Sequence, residues 1–310
     1  MYTHLPRVAG WLLIMTVIVS LAGCKHKPPV EPPLGSLLED IFTTVNTNTD
    51  MAAFARSMPG YLDELDGLMK KNIYDLPLIF RASGAHYGYA YCFLEDTDRQ
   101  EASKIYLKGR DLSLGELRRY SYFDQAFDDT GAKFQQALSY NFDKRNVQPL
   151  YWAALNWFGW ISLNLETPEA RADIPKVVAM LEFVNKLDRS YGNGTAHAFL
   201  GALYAIASKE EGGDPEKARQ EFENAFLYTG NSIFSVHVMY AKFYARQVQD
   251  RQLFEKTLKQ VLETPADTYA DKTFINEVAR RKAQLLMANA DAHFSKAQEP
   301  KVQEDTAPAQ

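Results

Sequence analysis

The amino-acid sequence predicts an all-α protein, a modified solenoid of helix pairs with elongated helices. Apolar residues recur at helical spacing through most of the 310-residue chain, and no alternating strand pattern longer than a few residues interrupts them. The breaks between apolar segments carry helix-starting and helix-ending residues, and small residues recur about every 40 positions, at Gly159, Gly201 and Ala241. Because 46% of the residues are hydrophobic, the chain can bury a large core without disulfide bonds.

The chain begins with the pattern of an export signal. Arg7 precedes a short apolar run at residues 11–19, which is shorter than the roughly 20 residues that span a bilayer but fits a signal core. The run ends in Leu-Ala-Gly-Cys at residues 21–24, which resembles the lipobox of bacterial lipoproteins. We therefore expect residues 1–23 to be a lipoprotein signal peptide and Cys24 to carry the membrane-anchoring lipid. An ordinary signal peptide with a coincidental cysteine is the alternative.

The composition on either side of the helical pattern indicates a tether and a tail. Residues 24–34 contain four prolines, which favour an extended spacer, and residues 295–310 are polar and lack an apolar period, as in a disordered tail. The helical-repeat domain is therefore expected over residues 35–294.

Lys25 follows the cysteine, at the position where Asp commonly signals retention in the inner membrane. We therefore expect a periplasmic protein held at the inner leaflet of the outer membrane.

Charge and cysteine content exclude other classes of protein. The formal net charge is −5 and no basic cluster is present, so nucleic acid is not an expected partner. Cys92, the second of two cysteines, lies in an apolar helical stretch, where a buried small side chain is expected and a nucleophile is not.

Small and large apolar residues alternate along the predicted helix pairs in a fixed order. Gly201 is followed by Tyr204 on one helix and by Ala218, Phe222 and Ala225 on the next. This order is similar to the tetratricopeptide pattern, in which small residues mark the crossing of two helices. Three further segments share the spacing of the second helix; they begin at Gly84, Gly159 and Ala241.

The distances between the repeats depart from the standard 34-residue unit. Gly84 and Gly159 are 75 residues apart, which leaves room for one additional helical unit across residues 115–146. We therefore expect four to five helix pairs curved around a concave face. A generic helical bundle is the alternative.

Several segments occur in an order that resembles one family. After the lipoprotein signal come residues 83–91, 150–154, 191–201, 212–219, 241–262 and 276–283. Over about 250 residues this order resembles the T component of TRAP transporters, a periplasmic tetratricopeptide-like lipoprotein. The resemblance implies a homotrimer with a pore through each subunit, and pairing with the periplasmic substrate-binding P component.

Four residues are the candidates for binding a solute. Trp152, Asn156 and Trp160 share one helical face, and Tyr91 lies one turn after Tyr87 in a stretch of small residues. Aromatic walls with one amide would suit a small apolar or carboxylate solute, so we expect these four residues to line a channel. The alternative is ordinary packing between helices.

No sequence motif indicates catalysis. The chain has no zinc-protease, Cys-x-x-Cys, phosphate-loop or serine-hydrolase motif, and we expect no enzyme activity, metal or cofactor. Adjacent acidic pairs such as Glu95 and Asp96 are expected to be solvated, and residues 280–282 to form a solvated face or an inter-helix clamp.

Taken with the family resemblance, the sequence favours a transport accessory protein, with a peptide-binding scaffold of envelope assembly as the alternative. Neighbouring genes would distinguish the two.

Overall fold

The computed structural model describes residues 50–294 apart from residues 73 and 130, and all regular secondary structure in this part is helical. The expected signal peptide, the tether with Cys24 and the expected tail lie outside the described residues. No helix of the described part is long and apolar enough to cross a membrane.

The described helices are numbered in chain order. The first six are α1 (Met51–Lys71), α2 (Leu76–Tyr89), α3 (Arg99–Leu117), α4 (Ser121–Gln125), α5 (Ala132–Asn141) and α6 (Val147–Leu163). The remainder are α7 (Pro168–Leu187), α8 (Ala196–Ile206), α9 (Pro215–Thr229), α10 (Phe234–Met239), α11 (Arg251–Glu263), α12 (Thr273–Ala288) and α13 (Ala290–His293). Helices α2 and α10 each continue into a π-helical segment, Ala90–Leu94 and Tyr240–Ala245 respectively.

Consecutive helices pair as the sequence predicts, and the all-α solenoid-like fold is confirmed. The pairs are α2 with α3, α6 with α7, α8 with α9, and α10 with α11. Between the first two pairs, α4 and α5 are the additional unit that the 75-residue spacing predicts, although both are short. Helix α12 packs on the last pair.

The predicted breaks end and start helices through their side chains. Asp214 accepts hydrogen bonds from the backbone N–H groups of Glu216 and Lys217 before the Pro at residue 215, and Thr167 caps α7 by accepting from Ala170 N. These caps satisfy backbone donors that would otherwise have no partner in the first helical turn.

The small residues lie where helices approach closely. A Cβ atom added to Gly201 would lie 2.7 Å from Phe222 Cδ2 and 3.1 Å from the Ala218 carbonyl, so α8 and α9 cross as predicted. A Cβ on Gly159 would instead meet the ring of Tyr106 on α3. Gly159 therefore marks a crossing between two repeats and not one within its own pair.

The last long helix also returns to the first helix pair. Arg281 on α12 donates to the Cys92 carbonyl, and Lys282 forms ion pairs with Glu95 and Asp96, each at 2.9 Å. The first helix pair and α12 are therefore joined across nearly 190 residues of sequence.

Candidate solute-binding cavity

A cavity of about 260 Å³ lies among the first helices of the pairs. Its walls come from α2 and its π-helical extension, from α6, α8 and α10, and from the segment that leads into α12. The cavity lining includes Tyr87, Tyr91, Tyr151, Trp152, Phe199 and Lys272. Because each pair contributes its first helix, the repeat itself places these side chains around one space.

Aromatic rings form one continuous side of the cavity. Tyr87 stacks on Tyr91 with ring centroids 5.8 Å apart and planes inclined by 7°, and it contacts Trp152 at 6.2 Å. Phe199 meets the edge of Tyr87 at 6.0 Å. Rings that hold one another in this way present a broad apolar face to a bound molecule.

Polar groups are few and lie at separate places on the wall. Tyr151 Oη and Thr195 Oγ1 share a hydrogen bond of 2.6 Å, and Lys272 pairs with Asp271 at 2.6 Å. The buried Tyr91 hydroxyl faces Ser235 without a well-formed hydrogen bond. Burial raises the pKa of Tyr91 and of Tyr151, so both hydroxyls stay neutral at physiological pH.

A left-handed turn shapes the wall next to Tyr151. Gly192, Asn193 and Gly194 have φ angles of 58°, 58° and 70°. A Cβ at Gly192 would lie 2.8 Å from Tyr151 Oη, so this position needs glycine both for its backbone and for the space. Gly192 thereby allows the loop before α8 to lie against the cavity.

The structure brings two of the four predicted ligand residues to the cavity. Tyr91 and Trp152 are among its lining residues, whereas Asn156 and Trp160 are not. Asn156 is fully buried and donates to the backbone carbonyls of Ser83 at 3.1 Å and Trp152 at 2.9 Å. Trp160 is half-buried and packs against two hydrophobic clusters of the core.

Several residues that line the cavity are not among the ligand residues that the sequence predicts. Tyr151 and Phe199 lie on helices whose apolar residues are spread around all faces, so helical spacing does not show which face meets the cavity. Tyr151 could have been found from its place beside Trp152 and one turn before Leu155, which also lines the wall. Lys272 carries no local signal, because it reaches the cavity through the turn before α12.

The expectation that Glu95 is solvated is wrong. Its side chain is 8% exposed and accepts hydrogen bonds from Lys282 Nζ at 2.9 Å and Tyr106 Oη at 2.5 Å. Burial by itself raises the pKa of Glu95, but the attraction of Lys282 and Lys242 and the Tyr106 hydrogen bond outweigh it, so the pKa lies below 4.5. Lys282, 7% exposed, is the inter-helix clamp and not a solvated residue.

Cys92 is a buried free thiol, as the sequence predicts. Burial raises its pKa to about 12, against the opposing influence of Lys282 and Arg281. The thiolate form is therefore nearly absent at neutral pH, and Cys92 is not a nucleophile.

No group of three or more His, Cys, Asp or Glu side chains in the described part of the chain could hold a metal ion.

The chain matches a protein-family model. A search of curated proteins gives no match. The model described as TRAP transporter T-component (TAtT) matches residues 47–294, which is most of the chain and the whole of the helical array around the cavity. The chain therefore belongs to the family of TRAP transporter T-components.

Proposed function

We propose that this protein is a lipid-anchored periplasmic accessory component of a TRAP-type transporter, without enzyme activity or a cofactor. It docks the substrate-binding P component and passes a small apolar or carboxylate solute through its cavity. The observation that supports solute passage is the aromatic wall formed by Tyr87, Tyr91, Trp152 and Phe199. Family membership supports association with the other transporter components.

The dimensions and chemistry of the cavity suit a small amphipathic molecule. A volume of about 260 Å³ lies near the lower end of ligand pockets, which is roughly 300 Å³. The rings supply apolar contact, while Tyr91, Thr195 and Lys272 supply few and separate polar contacts that fix an orientation. Asn156 and Trp160 act on this wall indirectly in our proposal, because Asn156 holds the turn of α6 that carries Trp152.

Two tryptophans on the same helix provide a matched test of solute passage. Trp152→Ala should lower solute uptake and leave complex formation with the P component intact, because it removes part of the cavity wall. Trp160→Ala, eight residues further along α6, should leave uptake near the wild-type rate once folding is verified by circular dichroism. Uptake reduced by Trp160→Ala alone would reject the cavity and favour a channel along the opposite part of α6.

A second surface has the composition expected for docking the P component. Tyr74 is 76% exposed and Tyr120 is 43% exposed, and both line a groove that also contains Arg119. The Arg119 guanidinium lies 5.9 Å from the centre of the Tyr74 ring. Exposed tyrosine and arginine side chains of this kind carry much of the binding energy in protein interfaces.

Co-purification tests the docking proposal. Protein lacking residues 1–34 should co-purify with the P component, and Tyr74→Ala with Tyr120→Ala should weaken that complex. Leu227→Ala is the control, because Leu227 is 75% exposed on α9, away from the groove. Equal retention of the P component by the tyrosine variant and the control would place the docking surface elsewhere.

Membrane attachment is tested at Cys24. The Cys24→Ala variant should lose the lipid and leave the outer-membrane fraction, whereas wild-type protein stays there after salt washing. A variant that still sediments with membranes and is cleaved at the same place would contradict the lipid anchor. The homotrimer expected from the family resemblance is measured on the purified protein by analytical ultracentrifugation.

A further inference from the structure

The residues that line the cavity differ in their exposure to solvent. Gly192, Asn193 and Asp271 are exposed, whereas Leu155 is 2% exposed and Val236 is 1% exposed. The exposed residues belong to the left-handed turn before α8 and to the segment that leads into α12. The cavity therefore opens to solvent between this turn and this segment, and its enclosed part lies between α6 and α10.

Charged side chains lie only at this opening. Among the described residues that line the cavity, Lys272 is the only basic one and Asp271 the only acidic one. The Asp271 side chain is 78% exposed and the Lys272 side chain is 24% exposed, so the lysine is the more enclosed member of the pair. The rest of the wall carries apolar side chains and neutral polar groups.

The Lys272 ammonium keeps hydrogen-bonding capacity for a ligand. It has three N–H donors, and within the part of the chain that the structure describes it donates one, to Asp271 Oδ2 at 2.6 Å. Because Asp271 is so exposed, this ion pair contributes little to stability. A bound anion can therefore share the ammonium with Asp271 or displace the aspartate from it.

The start of α12 also favours negative charge at the opening. Lys272 is the N-cap residue of this helix, whose first turn has no side-chain hydrogen bond at its cap and no acidic residue. Ile275, in the same turn, lines the cavity. The free N–H groups of a first helical turn carry partial positive charge, which here adds to the full charge of Lys272.

We infer that the cavity binds an amphipathic molecule with an anionic head group, which lies at the opening against Lys272 while the apolar part lies along the aromatic wall. This inference rests on the solute binding proposed above and narrows the ligand to one sign of charge and one orientation. The reverse orientation would bring the anion to Trp152 and Leu155, where apolar surroundings cannot replace its hydration. Asp271 lies beside the head group and repels it.

Ligands that share a chain and differ in charge test the inference. Full-length protein in a non-ionic detergent is titrated by calorimetry with hexanoate and with 1-hexanol, and titrations into detergent alone are subtracted. Hexanoate should bind more tightly than 1-hexanol. Butanoate and octanoate extend the series, and each methylene that enters the cavity should raise the affinity about fourfold.

Variants of the two charged residues should act in opposite directions. Lys272→Met keeps an apolar stem and should weaken hexanoate binding about tenfold, because a hydrogen bond to a charged group is lost. Its binding of 1-hexanol should be unchanged, which also shows that the cavity is intact. Asp271→Asn removes the competing charge and should strengthen hexanoate binding by up to about fivefold.

Lys259→Met is the matched control, because Lys259 is likewise ion-paired, with Glu263 at 3.6 Å, and does not line the cavity. It should bind both ligands as wild type does. Equal binding of hexanoate and 1-hexanol, or equal losses in Lys272→Met and Lys259→Met, overturns the anionic head group and leaves solute binding in place. Binding of neither ligand at any chain length overturns the proposed solute binding as well.

Discussion

At the scale of single residues, Gly201 shows how the repeat depends on the absence of a side chain. The nearest atoms to an added Cβ include the Ala218 carbonyl, which cannot move without shifting α9. Gly201→Leu should lower the free energy of unfolding, measured by urea titration, by about 1–3 kcal/mol, because extra side-chain atoms in a well-packed site typically cost that much. Gly115→Leu is the control, because Gly115 is exposed with no atom near an added Cβ. Equal stability of the two variants would contradict the crossing.

The burial of Cys92 gives a second prediction at this scale. Because burial raises its pKa to about 12, the thiol should not react with an aromatic disulfide reagent in folded protein at pH 7. Complete reaction is expected in urea, where burial is lost. Protein lacking residues 1–34 contains no other cysteine, so the absorbance of the released thiolate reports Cys92 alone. Rapid labelling of the folded protein would show that the thiol is accessible.

At the scale of helices, caps decide where each element of the repeat begins. Asp214 accepts hydrogen bonds from Glu216 N at 3.0 Å and from Lys217 N at 3.1 Å at the start of α9. Asp214→Ala should lower the free energy of unfolding by about 0.5–2 kcal/mol, measured with urea. Asp214→Asn keeps a hydrogen-bond acceptor at the cap, so its free energy of unfolding should fall much less. If both variants were equally destabilised, the negative charge and not the cap would be responsible.

At the scale of the whole molecule, the Glu95–Lys282 pair joins the first helix pair to α12. Lys282→Met leaves the Glu95 carboxylate, which is 8% exposed, without its ion-pair partner, so the free energy of unfolding should fall by up to about 3–5 kcal/mol. Adding Glu95→Gln to this variant should recover part of that loss, because the buried charge that has lost its ion-pair partner is removed. Urea titrations of wild type, both single variants and the double variant measure the coupling. Additive losses would mean that the pair does not act as a unit.

The same pair predicts a dependence of stability on pH. The pKa of Glu95 lies below 4.5 in the folded protein, so its contribution is present above that value and lost as the pH falls further. Burial by itself lowers the pKa of Lys282, but the attraction of Glu95 and Asp96 outweighs it and raises the pKa above 10.5. The contribution of the Lys282 charge to stability is therefore lost only at high pH. The stability advantage of wild type over the double variant should therefore be constant near neutrality and shrink in acid. An advantage that persists unchanged at pH 3 would contradict this assignment.

The sequence by itself determined the helical repeat, because its signals are local. Gly201, Phe222 and the cap at Asp214 act within one helix pair, where spacing along the chain gives spacing in the fold. For the same reason, the 75-residue interval between Gly84 and Gly159 predicts the additional unit that α4 and α5 form. Family membership also follows from sequence, since the matching segments occur in order over residues 47–294.

Only the tertiary structure decided which side chains meet. Helix α6 is apolar on all faces, so its sequence does not show that Trp152 borders the cavity while Asn156 is enclosed between helices. Glu95 resembles a solvated acid in sequence because its partner, Lys282, is 187 residues away. Charges and cavities form where distant helices converge, and that convergence depends on the curvature of the entire array rather than on any single segment.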